Sequence, residues 1–201
     1  NGGTQFLWLS ERDGFRHIYL HAADGKLIRQ ITKGPWEVTA ISAVTEGGQL
    51  YYVSSEATPL ERHGYAIGLD GQGKRLLTPG AGTHGMVAGP GAKFFLHSVS
   101  SITAPPRVTL NAGDGRELAT YREADRRVLE QYEILPTELS SFRGGDGSLL
   151  YTRLIKPAGF DATKKYPAVI QVYGGPGAQG PRNAWYGADF DQVLAHAGFV
   201  V

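Results

Sequence analysis

FLWLS at 6–10 returns as LYYVS at 50–54 and as FFLHS at 94–98, a spacing of 44 residues each time. Each apolar run suits a strand. Each is followed by a second run that ends on Asp-Gly: HIYLHAADG at 17–25, YAIGLDG at 65–71 and VTLNAGDG at 108–115. A third, shorter strand candidate follows every turn, as KLIRQIT, KRLLT and RELAT, and each closes on a threonine: Thr32, Thr78 and Thr120. Asp-Gly between such runs is a strong hairpin signal, because both residues tolerate positive φ. EVTAISAV at 37–44 supplies a linking strand. A four-stranded unit recurring roughly every 40–50 residues is the signature of a β-propeller blade; a run of unrelated sandwich hairpins is the alternative. Two complete repeats and part of a third are present. A closed propeller needs at least about four blades. The expectation is therefore an arc of two to three blades whose open edge is covered by a second copy of the chain or by another polypeptide.

The character of the chain changes near residue 125. EADRRVLE at 123–130 is charged and free of Gly and Pro, and reads as a short helix or linker. Strand candidates at 138–142 and 149–156 flank a Gly-Gly-Asp-Gly turn at 144–147, and KPAGFDATKKYP at 156–167 is a polar loop. AVIQV at 168–172 predicts a buried strand, ADFDQVLAH at 188–196 a helix with Gly198 at its C′ position, and Phe199–Val201 a further strand. Strand, loop, helix and strand make an α/β beginning. The predicted organisation is a mainly β chain, with propeller blades over 1–125 and the truncated start of an α/β domain over 126–201.

Bulk properties narrow the function. A formal charge of +1, from 20 basic and 19 acidic residues, is scattered without a basic block and gives no reason to expect a nucleic-acid partner. Hydrophobic residues make up 41% of the chain, enough for a packed core. There are no cysteines, which excludes disulfides, thiolate nucleophiles and zinc–thiolate sites. No stretch approaches the roughly 20 apolar residues of a membrane span. No cofactor and no metal are called for.

The sequence AVIQVYGGPG at 168–177 carries the chemistry. In open α/β sheets ligands sit beyond the carboxyl ends of the strands, and this glycine-rich turn lies at such an end. Gly174 and Gly175 can take positive φ or admit a substrate close to the backbone, and Pro176 stiffens the exit. A tyrosine at 173 keeps its proton at neutral pH, its reference pKa being about 10. It can donate a hydrogen bond to an oxygen that is becoming negative, which is half of an oxyanion hole. Acyl transfer is the chemistry this suggests.

LSERDGFRHIYL at 9–20, ITKGPWEV at 31–38 and KKYPAVIQVYGGPG at 164–177 together resemble the prolyl oligopeptidase family of serine peptidases, most closely its dipeptidyl peptidase IV branch. The resemblance implies a propeller capping an α/β-hydrolase domain that releases dipeptides from peptide N-termini, with proline or alanine at the second position. It implies that Tyr173 is the oxyanion-hole tyrosine, that Gly174, Gly175 and Pro176 shape its loop, and that Arg182 faces the substrate. For a bacterial-type parent, a periplasmic or secreted location is favoured. The chain contains no Gly-x-Ser-x-Gly elbow, and the acid and histidine of such a triad follow the serine in this fold. The paired glutamates that hold a substrate's free amino group also have no counterpart. The chain is therefore expected to be inactive by itself. A propeller module that binds peptides or proteins without catalysis is the alternative from another class; an acylaminoacyl peptidase or an endo-acting prolyl oligopeptidase is the alternative within it.

Other candidates have plainer readings. His17 and His21 share a strand face but lack an acidic residue to complete a metal site, and blade packing accounts for them. Glu11, Arg12 and Asp13 read as a solvated turn with local pairing. Trp8 and Trp36 read as inter-blade packing, and His196 as a charge–dipole contact at a helix end.

Overall fold

The computed structural model describes residues 3–123, 129–175 and 178–201. They divide into two compact units, one of residues 1–99 with 107–123 and one of residues 100–106 with 124–201.

The first unit is built of successive antiparallel meanders. Strands β1 (Gln5–Ser10), β2 (His17–Ala22) and β3 (Leu27–Gln30) form the first sheet. Strands β4 (Val38–Val44), β5 (Gln49–Ser54), β6 (His63–Gly68) and β7 (Arg75–Leu76) form the second. Strands β8 (Thr83–Ala88), β9 (Phe94–Ser101), β10 (Ala104–Ala112) and β11 (Glu117–Arg122) form the third. In every sheet the strands lie side by side in chain order, as in propeller blades. The third repeat, expected only in part, is a full four-stranded sheet, and the fold is a partial β-propeller.

The middle sheet shows how the sequence builds the core. Side chains on a strand alternate between faces. Leu50 and Tyr52 of β5, with Tyr65 and Ile67 of β6, pack against Ile18, Leu20 and Ile31 of the first meander. Their alternates Tyr51, Val53 and Ala66 pack against Met86, Ala92 and Phe95 of the third. A strand buried on both faces has to read as a continuous apolar run, and LYYV does. The outer sheets are covered on one face only. Trp8 (52% exposed) and Phe6 stand on the open side of the first sheet, and Val87 and Phe94 are exposed on the third. Trp36 does pack into the first core, edge-on to His17 with ring centroids 4.8 Å apart. Trp8, by contrast, lies on the open face.

The repeated turn and threonine each have a physical account. The Asp-Gly hairpins are three-residue turns, not two-residue ones. Ala22 N–H donates to the Lys26 carbonyl, Gly68 to Gln72 and Ala112 to Arg116, with only the glycine (Gly25, Gly71, Gly115) at positive φ. The aspartate holds the exit: Asp24, Asp70 and Asp114 accept from the backbone N–H two residues on at 2.9–3.1 Å. The Thr32 hydroxyl accepts Ile18 N–H at 3.0 Å and that of Thr78 accepts Gly64 N–H at 2.7 Å, extending the pairing of strand ends inside the core. Thr120 is exposed and meets Arg107 instead.

Three histidines meet between the second and third sheets, His84 stacked on His97 and tilted against His63. His84 lies 4.6 Å from His63 and 5.1 Å from His97, ring centroid to centroid. His84 Nε2 faces the Gly80 carbonyl, which can only accept, so Nδ1 is left to accept from His97 Nε2 at 2.8 Å. Burial pushes the His84 imidazole down to about 4 and lowers His97 as well.

The second unit holds the hairpin β12 (Thr137–Arg143) and β13 (Leu149–Ile155), and helix α1 (Phe190–His196). Helix α1 begins on the Asp189 side chain, which accepts Gln192 N–H at 3.2 Å. It ends in a Schellman motif, with Gly198 N–H to the Ala195 carbonyl and Phe199 N–H to that of Leu194. The predicted C′ glycine is in place at φ +95°. The buried Gln192 clamps the Leu135 backbone with both ends of its amide. The predicted strand 168–172 is the main correction. Pro167–Val169 pair with Val200, which brings Val201 beside Ile155. Beyond Val169 no strand lies alongside among the described residues, so Ile170 (84%) and Val172 (88%) are exposed and not buried. Most of the segment read as a helix or linker at 123–130 lies outside the described residues, and so does Pro176.

Candidate active site

Tyr173 closes the 168–173 segment and is 76% exposed. Its ring folds over the next turn of chain: a Cβ at Gly175 would stand 2.7 Å from the ring's Cε1, Cζ and hydroxyl oxygen. Gly175 is thus the floor on which the ring lies, while Gly174 has open space around it. Neither glycine takes positive φ, so what they supply here is room and not a left-handed turn. An exposed phenol can donate a hydrogen bond to an oxygen that comes within its reach.

Arg182 is exposed on the loop that follows, and that loop is tied down by its own members. Arg182 N–H donates to the Tyr186 hydroxyl at 3.0 Å, and that hydroxyl donates to the Gly180 carbonyl at 3.2 Å. Arg182 Nε donates to the Gln179 carbonyl at 3.2 Å. The loop is further pinned where Asn183 Oδ1 accepts Ile102 N–H at 3.1 Å and Trp185 N–H donates to Ser100 Oγ at 3.2 Å. No hydrogen bond joins Arg182 to Tyr173 among the described residues.

Beneath this surface lies a cluster that the sequence reading does not single out. Arg153, on β13, pairs with Asp189 at 3.2 Å and with Asp191, and its guanidinium lies 3.9 Å from the Tyr186 ring centroid. Gln171 Nε2 donates to the other Asp191 oxygen at 2.5 Å. The only trace of this in the sequence is an arginine between apolar neighbours in a strand and two acids at a helix start, each common by itself.

The other candidates take structural places. His17 is buried, accepting from the Thr32 hydroxyl at 3.1 Å and donating to the Gly34 carbonyl at 2.9 Å. His21 donates to the Gly25 carbonyl at 2.8 Å and stacks on Phe6. His196 donates to the Glu133 carbonyl at 2.7 Å. Arg12 lies over the Tyr19 ring at 4.2 Å, and Asp13 accepts from Gln30 at 2.5 Å. Among the described residues no three His, Cys, Asp or Glu side chains converge as metal ligands, and no helix is long and apolar enough to cross a membrane.

Consecutive antiparallel blades, followed by a tyrosine–glycine turn, define a propeller joined to a second unit that carries a candidate oxyanion donor. The pattern of the dipeptidyl peptidase IV N-terminal region matches residues 1–106, and the chain belongs to that family. It is 29% identical over 200 residues to dipeptidyl peptidase 4 of Trichophyton rubrum, covering 96% of this chain and 26% of that protein. It is 33% identical over 198 residues to a probable dipeptidyl-aminopeptidase B of Penicillium rubens, covering 94% of this chain and 22% of the relative. The crystal structure of Porphyromonas gingivalis dipeptidyl peptidase 4 superposes with a TM-score of 0.91 at 32% identity, over 100% of this chain and 29% of that one. The chain thus spans about a quarter of the length of the relatives it matches.

Proposed function

We propose that this chain is part of a serine-type dipeptidyl peptidase that releases Xaa-Pro or Xaa-Ala dipeptides from peptide N-termini through an acyl-enzyme. The names of its relatives support the peptidase class. The placement of Tyr173, an exposed phenol over a glycine floor, supports its part in the chemistry. A serine outside these 201 residues attacks the scissile carbonyl, and the Tyr173 hydroxyl donates to the oxygen as it gains charge. Gly174 and Gly175 keep side chains away from that oxygen, and Arg182 binds substrate from the neighbouring loop. The 126–201 segment is the start of the hydrolase domain. Without a Gly-x-Ser-x-Gly elbow, residues 1–201 alone have no activity.

Replacing Tyr173 by Phe in the full-length protein tests the proposal. On a chromogenic Xaa-Pro anilide, kcat is expected to fall by roughly 10²–10³ with KM little changed, the cost of losing one oxyanion donor. A rate equal to that of the unaltered enzyme removes Tyr173 from the mechanism.

A further inference from the structure

Between β7 and β8 the chain runs through Pro79-Gly80-Ala81-Gly82, and both glycines stand at positive φ, +101° and +134°. Pro79, Gly80 and Ala81 are exposed, yet His84, just beyond them, is buried. Three ties close this link. Gly82 N–H donates to Glu61 Oε1 at 2.9 Å, His84 N–H to the Arg62 carbonyl at 2.8 Å, and His84 Nε2–H to the Gly80 carbonyl at 3.1 Å. His84 shares the side of β8 that carries Met86, and His97 the side of β9 that carries Phe95. Met86 and Phe95 pack on Tyr51, Val53 and Ala66 of the second sheet, so the histidines stand on the faces that the two sheets turn to each other. Every group in the row belongs to the first unit.

The row closes on a fixed number of protons. With His84 Nε2–H on the Gly80 carbonyl and His97 Nε2–H on His84 Nδ1, both rings are neutral. A proton added at His84 Nδ1 sets two N–H groups face to face across 2.8 Å. His97 relieves this only by carrying its hydrogen on Nδ1 instead, towards Thr109 Oγ1 at 3.5 Å, a long contact. Thr109 offers a lone pair there, because its own hydrogen goes to Asn111 Oδ1 at 2.6 Å and the Gly115 carbonyl orients the Asn111 amide. One extra proton therefore leaves a cation in the seam, and a second has no place. The facing charges give it little relief. Glu61 already holds His63 Nε2 at 3.0 Å and Gly82 N–H. Glu117 faces His97 from β11 but is bound through both oxygens to Arg107 of β10, whose charge acts on His97 in the opposite sense. Burial holds His84 and His97 below the ordinary imidazole range, and His63 adds to the effect on His84.

We propose that His84 and His97, backed by His63, form an acid-operated latch on the link between the second and third sheets. The seam is shut while both rings are neutral, and the start of β8 with its 79–82 link opens locally when they take up protons. The two positive-φ glycines let the link carry His84 out to water while the strands of the second sheet stay paired.

Hydrogen exchange of the full-length protein, read by mass spectrometry at pH 7 and pH 5, tests the latch. Labelling times are scaled to the intrinsic rate at each pH and kept too short for global unfolding to contribute. Peptides across 79–88 and 94–99 report the seam, and peptides across 38–54, which contain no histidine, report the second sheet's own strands. From pH 7 to pH 5, protection at the seam is expected to fall about 10-fold, and over 38–54 less than about twofold. His84→Gln keeps a donor for Gly80 and an acceptor for His97 but does not titrate. Its protection at pH 7 is expected within about threefold of the parent, and its fall at pH 5 below about threefold. Adding His97→Gln is expected to bring the fall to that of 38–54. No fall at the seam, an equal fall over 38–54, or a full fall that survives in the double variant overturns the proposal. If the double variant does not fold, His84→Gln decides alone: a fall of about 10-fold in it overturns the latch.

Discussion

LYYV at 50–53 and AVIQV at 168–172 are similarly apolar runs, yet the structure treats them in opposite ways. In the first, Leu50 and Tyr52 are wholly buried against one neighbouring sheet while Tyr51 and Val53 are buried against the other. In the second, Val169 finds the Val200 backbone and the next residues find nothing among the described residues, so Ile170 and Val172 face outward. The contrast separates two things that apolarity confounds. A hydrophobic run expresses a demand for cover; whether the demand is met depends on elements elsewhere in the chain.

The sharpest way to break the contrast is to remove the same amount of side chain from each region. In the 201-residue chain, Leu50→Ala is expected to cost about 2–5 kcal/mol, because the site is closed on every side and cannot collapse fully. Ile170→Ala is expected to stay within about 0.5 kcal/mol of the parent. Urea melts of both variants measure the difference. Repeating Ile170→Ala in the full-length protein sharpens it: a cost rising to about 2–5 kcal/mol there means the remaining sequence supplies a neighbouring strand. Similar costs for the two positions in the short chain would erase the distinction.

A smaller effect divides the regions by pH. The His84 imidazole is held at about 4 in the folded protein against an ordinary value of 6.5. Between those values the unfolded chain binds a proton that the native state refuses, so native stability is full above about pH 6.5 and falls as the pH drops towards 4. Allowing for partial solvation, the loss is about 1–3 kcal/mol, and His97, lowered in the same sense by burial, adds to it. Melts at pH 7 and pH 4.5 measure the loss. The second unit has no such buried histidine, His196 being exposed, so probes there are expected to report less of the slope.

How much of this is legible in the sequence follows the range of the interactions. The blades are legible because their signals are local and repeated: an apolar run, an Asp-Gly turn and a closing threonine. The conformation of the turn is not, since Asp-Gly serves two-residue and three-residue hairpins alike and only the Lys26 and Gln72 pairings decide between them. Helix α1 can be read from the ADFDQVLAH run and from Gly198. The exposure of 170–172 cannot, because no residue in that segment encodes what stands beside it. Tyr173 is conspicuous through its glycines. Arg153 is silent, because its partners lie 36 and 38 residues away and only the fold assembles them.

The finest distinction is made by glycine. At Gly64 an added Cβ would meet Thr78 Cγ2 at 3.1 Å and the Met86 sulfur at 3.3 Å inside the core, where neither neighbour can move away freely. At Gly175 the obstacle is nearer, the Tyr173 ring at 2.7 Å, but that ring is exposed and can swing out. Gly175→Ala is therefore expected to change stability by less than about 0.5 kcal/mol, while Gly64→Ala costs about 1–3 kcal/mol by overpacking. If the phenol works from the position the glycine gives it, Gly175→Ala in the full-length enzyme lowers kcat towards the Tyr173→Phe value with an unchanged melt. A stable Gly175→Ala enzyme with full activity would mean that the ring's resting place on the glycine has no bearing on where its hydroxyl acts.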